Sequence, residues 1–241
     1  MYFGLSEDQI FFQDNVKKFL EDNAPLDAIK KITEGADLST KDELHQGLIN
    51  LGINNILIPE KNGGLGLDLL FASAVSQSLG EGIATLPFVG PYVIAPIAIK
   101  YGASDSQKEK LFNEMSQNLI NCGVGFSEYF GSRDSSDLSI SNNKITGRTL
   151  FVLDVDFASH VMLCDKKGQI GLVSLESKGI EIIDLTTVDK TRTYKEMIFK
   201  DTPIEILDKT KTSIEAAEMA LSAGRIVAAA DSLGASQAMI N

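Results

Sequence analysis

Tryptophan is absent from these 241 residues, and cysteine and histidine occur twice each. Cys122 and Cys164 are too few for a disulfide framework and read as small buried hydrophobes. His45 and His160 lie far apart and give no zinc-type spacing, so no metal site is expected. A Ser-His-acid hydrolase would need one of these two, and no Gly-x-Ser-x-Gly turn exists to carry its serine. No apolar run reaches the roughly 18 residues of a membrane span. Basic residues are the minority charge, 22 against 33 acidic ones, for a net charge of −11. Such a chain repels phosphate backbones, which argues against nucleic-acid partners. The 1–17 stretch holds acids and no leading basic cluster. It reads as neither a signal nor a transit peptide, and the implied location is cytoplasmic. The remaining chemistry rests on a bound cofactor, on carboxylates or on a partner.

What is there is ordinary for a globular chain: 44% apolar and 23% charged residues, which excludes disorder. The length suits one large domain or two modest ones. Periodicity divides it into three stretches. Residues 1–118 read as a helical domain. Ser6-Glu7-Asp8-Gln9 and Ser104-Asp105-Ser106-Gln107 are capping boxes. Apolar residues at helical spacing follow the first box, and similar patterns cover Ser39–Leu51, about Asp68–Leu79, and Tyr92–Tyr101. Residues 119–207 carry short β-rich runs separated by turn signals such as Ser141-Asn142-Asn143 and Ser177-Lys178-Gly179. Strands this short and evenly spaced predict an antiparallel, barrel-like domain. Residues 208–241 return to an Ala-rich helix with Ala216, Ala220, Ala223, Val227, Ala230 and Leu233 on one face. A helix this apolar needs something to pack against, so the chain is expected to be cut off mid-domain or covered by a partner. The fold class is therefore multidomain α and β: an all-α N-terminal domain, a middle β domain and the start of a C-terminal helical bundle.

That order of domains resembles the acyl-CoA dehydrogenases, and local motifs agree along nearly the whole chain. Leu51-Gly52, then Pro59-Glu60 and Gly63-Gly64-Leu65-Gly66, are similar to the family's Leu-Gly, proline-acid, Gly-Gly-x-Gly connector. Ser127 to Asp134 stands at the family's Thr/Ser-Glu-Pro-Gly-Ala-Gly-Ser-Asp, keeping the Ser-Glu start and the final Asp. Gly147 to Asp154 resembles Gly-x-Lys-x-Trp-Ile-Thr-Asn, with Phe151 for the Trp and Leu153 for the Thr. Asp189-Lys190-Thr191-Arg192 and Phe199 to Ile204 match later elements. Gly224-Arg225 through Gln237 resembles the first long helix of the family's C-terminal bundle. The divergent Ser-Glu stretch looks most like the smaller subunits of two-subunit members.

The resemblance implies FAD-dependent α,β-dehydrogenation of an acyl-CoA thioester in fatty acid metabolism: a base takes the C2 proton and a hydride leaves C3 for the flavin. It places Phe126, Ser127, Phe151, Val152 and Leu153 against FAD. It places Arg133, where the family has a CoA-contacting serine, and Arg225 toward the substrate. It supplies no catalytic residue. The base position on the long helix is Gly224, and the family's other location lies beyond Asn241. Glu215 and Glu218 lie two turns earlier and read as solvated acids, and Glu128 as a structural turn residue. Electron-transfer flavoprotein is the implied acceptor, and a homo-oligomer, or a hetero-oligomer with a larger dehydrogenase subunit, the implied assembly. Two alternatives stand beside this reading: a non-catalytic partner subunit, and an acyl-CoA-binding module without redox chemistry.

Overall fold

The computed structural model describes residues 4–131 and 137–240. Most N-terminal helices begin where a short polar side chain can satisfy a free amide. Helix α1, Glu7–Asn23, opens on a reciprocal capping box: Ser6 N–H donates to Gln9 Oε1 at 2.8 Å and Gln9 N–H to Ser6 Oγ at 3.2 Å. Helix α2, Leu26–Thr33, has only Pro25 before it and no polar cap, so its start carries no signal in the sequence. Asp37 caps α3, Leu38–Asn50, accepting the Thr40 amide at 3.1 Å. Asp68 caps α4, Leu69–Glu81, accepting the amides of Leu70 and Phe71. A single π-helical turn, Val89–Ile94, then runs straight into α5, Ala95–Gly102. Helix α6, Asp105–Ser116, opens on the second capping box, with Ser104 N–H donating to Gln107 Oε1 at 3.1 Å. Val16, Leu20, Leu44, Leu48, Val75 and Leu79 fill the core between these helices.

Eight strands follow: β1 (Cys122–Gly125), β2 (Ser139–Ser141), β3 (Lys144–Leu153), β4 (His160–Cys164), β5 (Ile170–Ser174), β6 (Ile180–Asp184), β7 (Tyr194–Pro203) and β8 (Glu205–Ile206). They form one sheet in the order β6-β7-β3-β1-β4-β5-β8, with β2 added on β3. The expected β domain is present. It differs from an antiparallel barrel in two respects. The central pair β1/β4 is parallel, and among the described residues no pairing joins β6 to β8, so the sheet is mixed and open. Parallel neighbours need a crossover rather than a hairpin, and here β2, β3 and a 3₁₀ turn supply it. A Cβ on Gly125 would lie 2.8 Å from Leu163 and 3.1 Å from Val152, so a larger residue at this central position would have to displace those side chains. Cys122 and Cys164 are buried, unpaired thiols in β1 and β4, and burial alone pushes Cys122 up to about 12.

The chain returns across the N-terminal domain as α7, Glu215–Ile240. Ala216, Ala220, Ala223 and Val227 are buried as the spacing predicts, but Leu233 is exposed and Gly234 is buried instead. The reason is close contact with α4. The carbonyl of Gln77 sits where a Gly234 side chain would begin, and the Ser76 hydroxyl donates to the Val227 carbonyl at 2.9 Å. Among the described residues, no helix is long and apolar enough to cross a membrane.

Candidate active site

Strand β3 ends in a distortion that sets the site. Thr149 pairs with Met197 and Val152 with Lys195, so two residues, Leu150 and Phe151, face one on β7. That is a β-bulge, which breaks the alternation of faces. Phe151 takes φ +56°, a left-handed conformation that costs a non-glycine residue of order 1 kcal/mol or more. Leu150 and Val152 stay buried, while Phe151 is turned out with 42% of its surface exposed. Its ring meets Tyr194 edge-on at 6.3 Å. Leu153, half-buried, pairs with Val124 of β1. The last residue of the motif, Asp154, is again left-handed, at φ +60°.

Beyond this bulge lies a cleft of about 240 Å³ between the end of β3, the π-helical turn and α7. Leu153, Val89 and Phe88 give it apolar walls; Ala228, one turn after Gly224, closes it from α7. Val89 also stands 3.8 Å from where a Gly224 Cβ would be. The cleft therefore lies between the two positions to which the sequence motifs assign flavin contact and base. A side chain at Gly224 would meet Ile94 at 2.8 Å.

The rest of the lining is polar. Arg192 Nη1 donates to the carbonyls of Ala84 and Leu86, both at 2.8 Å, and Nη2 to Asp231 Oδ1 of α7 at 3.2 Å. Asp154 is 8% exposed and accepts the amide of Gly90. Burial pushes its carboxyl up to about 6, against the pull of Arg192 and Lys41. Behind it, Tyr92 and His45 share a 2.8 Å hydrogen bond, and His45 packs edge-on against Phe157. Burial lowers His45 to about 4 and raises the Tyr92 phenol above its usual range.

Asp154 and His45 tilt the pH dependence of stability in opposite directions. The folded Asp154 keeps its proton to a higher pH than the unfolded chain, so stability falls as pH rises from about 4 to 6. The folded His45 refuses a proton that the unfolded chain takes near 6.5, so stability rises over nearly the same window. Asp154→Asn is expected to unmask the rising slope, about 3 kcal/mol across it, and His45→Gln the falling one, of similar size. Urea titrations at several pH values measure both; slopes of the same sign in the two variants would contradict the assignment.

The sequence-designated residues divide by orientation. The side chains of Phe126 and Val152 are buried in the core, so only their backbone groups can face a ligand. The Ser127 hydroxyl points inward and donates to the Leu150 carbonyl at 2.6 Å, with Thr149 Oγ1 3.2 Å away. Phe151 presents its ring outward, and Leu153 lines the cleft. Arg225 is exposed on α7, with its guanidinium 5.5 Å from the Phe130 ring centre, in the turn that follows Ser127-Glu128. Arg133 lies outside the described residues. Glu128 is buried in that turn, and Glu215 and Glu218 are exposed acids in the first turn of α7. Among the described residues, no three metal-ligating side chains cluster. Sequence reasoning missed Asp154, Arg192 and Asp231 as one polar wall. Asp154 ended a motif and Arg192 another, but nothing in the sequence shows that they converge.

Residues 6–118 match the family model of the acyl-CoA dehydrogenase N-terminal domain, and that part of the chain is such a domain. No curated protein matches the chain. Among solved structures, it resembles butyryl-CoA dehydrogenase from Megasphaera elsdenii, with 20% identity and a TM-score of 0.80, over 99% of this chain and 68% of that one. It also resembles a steroid ACAD variant, with 18% identity and a TM-score of 0.80, over 96% of this chain and 64% of that one. A third is acyl-CoA dehydrogenase complexed with FAD from Bacillus anthracis, with 15% identity and a TM-score of 0.78, over 95% of this chain and 42% of that one. The fold is that of the acyl-CoA dehydrogenases throughout, and the chain spans 64% of the length of the steroid ACAD.

Proposed function

We propose that this chain carries the flavin and acyl-group side of an FAD-dependent acyl-CoA dehydrogenase that removes hydrogens from C2 and C3 of an acyl-CoA thioester. The observation that carries this reading is the cleft itself: Leu153 of β3 faces Ala228 of α7 across it, one turn beyond the family's base position. The likeness to a structure holding FAD supports the cofactor. The residues present fit the flat ring of a flavin through the outward Phe151 and through Leu153. The family's hydroxyl positions themselves offer it none, because Ser127 is committed to Leu150 and Leu153 has none. FAD, when bound, supplies the hydride acceptor. The protein's part is to hold the ring on the bulge, to exclude water with Val89 and Phe88, and to bring CoA's negative groups toward Arg225. The acceptor in this reading is an electron-transfer flavoprotein, and the setting a cytoplasmic oligomer.

The strain at Phe151 gives the test. Phe151→Gly relieves the left-handed conformation, so its stability is expected to stay within about 1 kcal/mol of the parent or above it. FAD affinity, followed by quenching of flavin fluorescence, is expected to drop at least tenfold. Protein that takes up no FAD, or a Phe151→Gly variant that binds FAD as tightly as the parent, would overturn the reading.

A second reading is favoured by Gly224. With no carboxylate there, and Ile94 packed where one would start, the base comes from elsewhere. A non-catalytic subunit of a hetero-oligomeric dehydrogenase has this property. Bleaching of bound flavin by butyryl-CoA without any added chain would exclude that role.

A further inference from the structure

The charges in the cleft do not balance. Three carboxylates, Asp154, Asp189 and Asp231, and one guanidinium, Arg192, line it. Arg192 is already spent on two carbonyls and on Asp231. Asp189 caps its own turn, accepting the amide and hydroxyl of Thr191 at 2.8 and 2.6 Å. Asp154 is left more than nine-tenths buried, with no ion pair within 4 Å among the described residues and the Gly90 amide as its hydrogen-bond donor. Buried carboxylates are normally paired or hydrogen-bonded on several sides, because burying a charge without a counter-charge is costly. The neighbouring cations do not fill this role. Lys41 sits over the Phe157 ring at 4.7 Å, and Lys195 is held by Asp156 at 2.6 Å and by Asp184. Asp231 also stays above its ordinary range through burial, despite Arg192, and Asp189 adds to the rise. The cleft is short of positive charge on the side facing Asp154.

Its size limits what can supply that charge. A cavity of about 240 Å³ holds the equivalent of roughly eight waters, which suits a short group and not a long acyl chain. Its lining is mixed: Phe88, Val89 and Leu153 are apolar, and Asp154 and Tyr194 are polar. That combination recognises a compact carbon skeleton ending in a cation.

We propose that the cleft takes a short acyl group bearing a protonated amine, with Asp154 as its counter-charge and Phe88, Val89 and Leu153 against its carbons. This rests on the dehydrogenase reading, and it replaces a simple fatty acyl chain with an aminoacyl-type group as the substrate class.

The probe is n-butylammonium, with 1-butanol and butyrate as neutral and anionic counterparts, titrated into the protein by calorimetry. Butylammonium is expected to bind saturably at one site at about pH 8, and the other two at least tenfold more weakly. Lowering the pH to about 5 leaves only about a tenth of Asp154 ionised, so the affinity is expected to fall about tenfold. The charged and titratable groups around Asp154 are Arg192, Lys41, Asp156, Tyr92 and Tyr194, with Asp189 and Asp231 in the same cleft lining; burial moves both tyrosines further above this window. Asp154→Asn keeps an acceptor for Gly90 and is expected to reproduce the tenfold loss at pH values about 8. Leu153→Phe fills the cleft without touching a charge and is expected to abolish binding, which guards against misfolding in the first variant. Butanol or butyrate binding as well as butylammonium, binding untouched by both variants, or no saturable binding overturns the proposal. Flavin uptake with butanol preferred sinks this inference alone; butylammonium binding with no flavin uptake sinks the dehydrogenase reading and the aminoacyl substrate class with it, leaving only the cation site at Asp154.

Discussion

Arg192→Met is expected to cost about 2–4 kcal/mol of stability, and a melting temperature lower by roughly 10 °C. Arg192 ties three separate segments together. Ala84 and Leu86, whose carbonyls it satisfies, lie in the irregular stretch between α4 and the π-helical turn, where no helix supplies donors. Asp231, its third partner, lies on α7. Methionine fills the space but leaves two carbonyls without this donor and a carboxylate without its cation. The side chains of the pair keep 19% and 30% of their surface, so solvent offsets part of the loss and the lower part of the range for a fully buried pair applies. Arg192→Lys keeps the charge but cannot span carbonyls and carboxylate at once, and is expected to lose about half as much. Asp231→Asn removes only the ion pair and should cost about 1 kcal/mol. Urea titrations rank the three. A Met variant within about 0.5 kcal/mol of the parent would show that Arg192 does not bridge these segments in solution.

The same residue shows how far the sequence could be read. Asp189-Lys190-Thr191-Arg192 was legible as a motif, because its residue types and order repeat a family pattern. Its partners were not, since they sit 39 to 108 positions away and backbone carbonyls have no sequence signature. Capping residues were legible for a local reason: Ser6, Asp68 and Ser104 act within three residues of themselves. The strands at His160–Cys164 and Tyr194–Phe199 were visible through β-rich composition. The parallel pairing of β1 with β4 was not, because it depends on which strands the crossover spans. Only the end of β3 was evident from Leu150–Leu153; its first half, Lys144–Thr149, is polar and two-sided. The bulge that turns Phe151 outward and leaves Phe126 and Val152 inward depends on register, and a one-residue offset in register is silent in composition. The candidate site was thus legible as residue types and obscure as orientation. Asp154 is the clearest case: a terminal motif residue by sequence, and a buried carboxylate facing a cleft by structure.

Gly80→Ala and Gly234→Ala are each expected to destabilise by about 2–3 kcal/mol, although alanine favours a helix by about 1 kcal/mol. Helices α4 and α7 meet backbone to backbone at these two glycines. A Cβ on Gly80 would lie 2.0 Å from the Asp231 carbonyl oxygen, and one on Gly234 would lie 1.9 Å from that of Gln77. Neither obstacle can rotate away, so one helix has to move. Gly224→Ala on the same face provides the contrast. Its Cβ would meet the Ile94 side chain at 2.8 and 2.9 Å, and a side-chain tip yields where a carbonyl does not. A loss of about 1 kcal/mol or less is expected there. In urea titrations all three variants should shift the midpoint with little change in slope, with Gly224→Ala nearest the parent. The ranking matters for the cleft, because Ala228 and Asp231 reach it only while α7 stays pressed against α4. Moving α7 outward by the width of a methyl group would part Asp231 from Arg192 and open the wall behind Asp154. If Gly234→Ala proved as stable as Gly224→Ala, the two helices would not pack at the separation that closes the cleft, and the narrow acyl site argued from it would fall with that result.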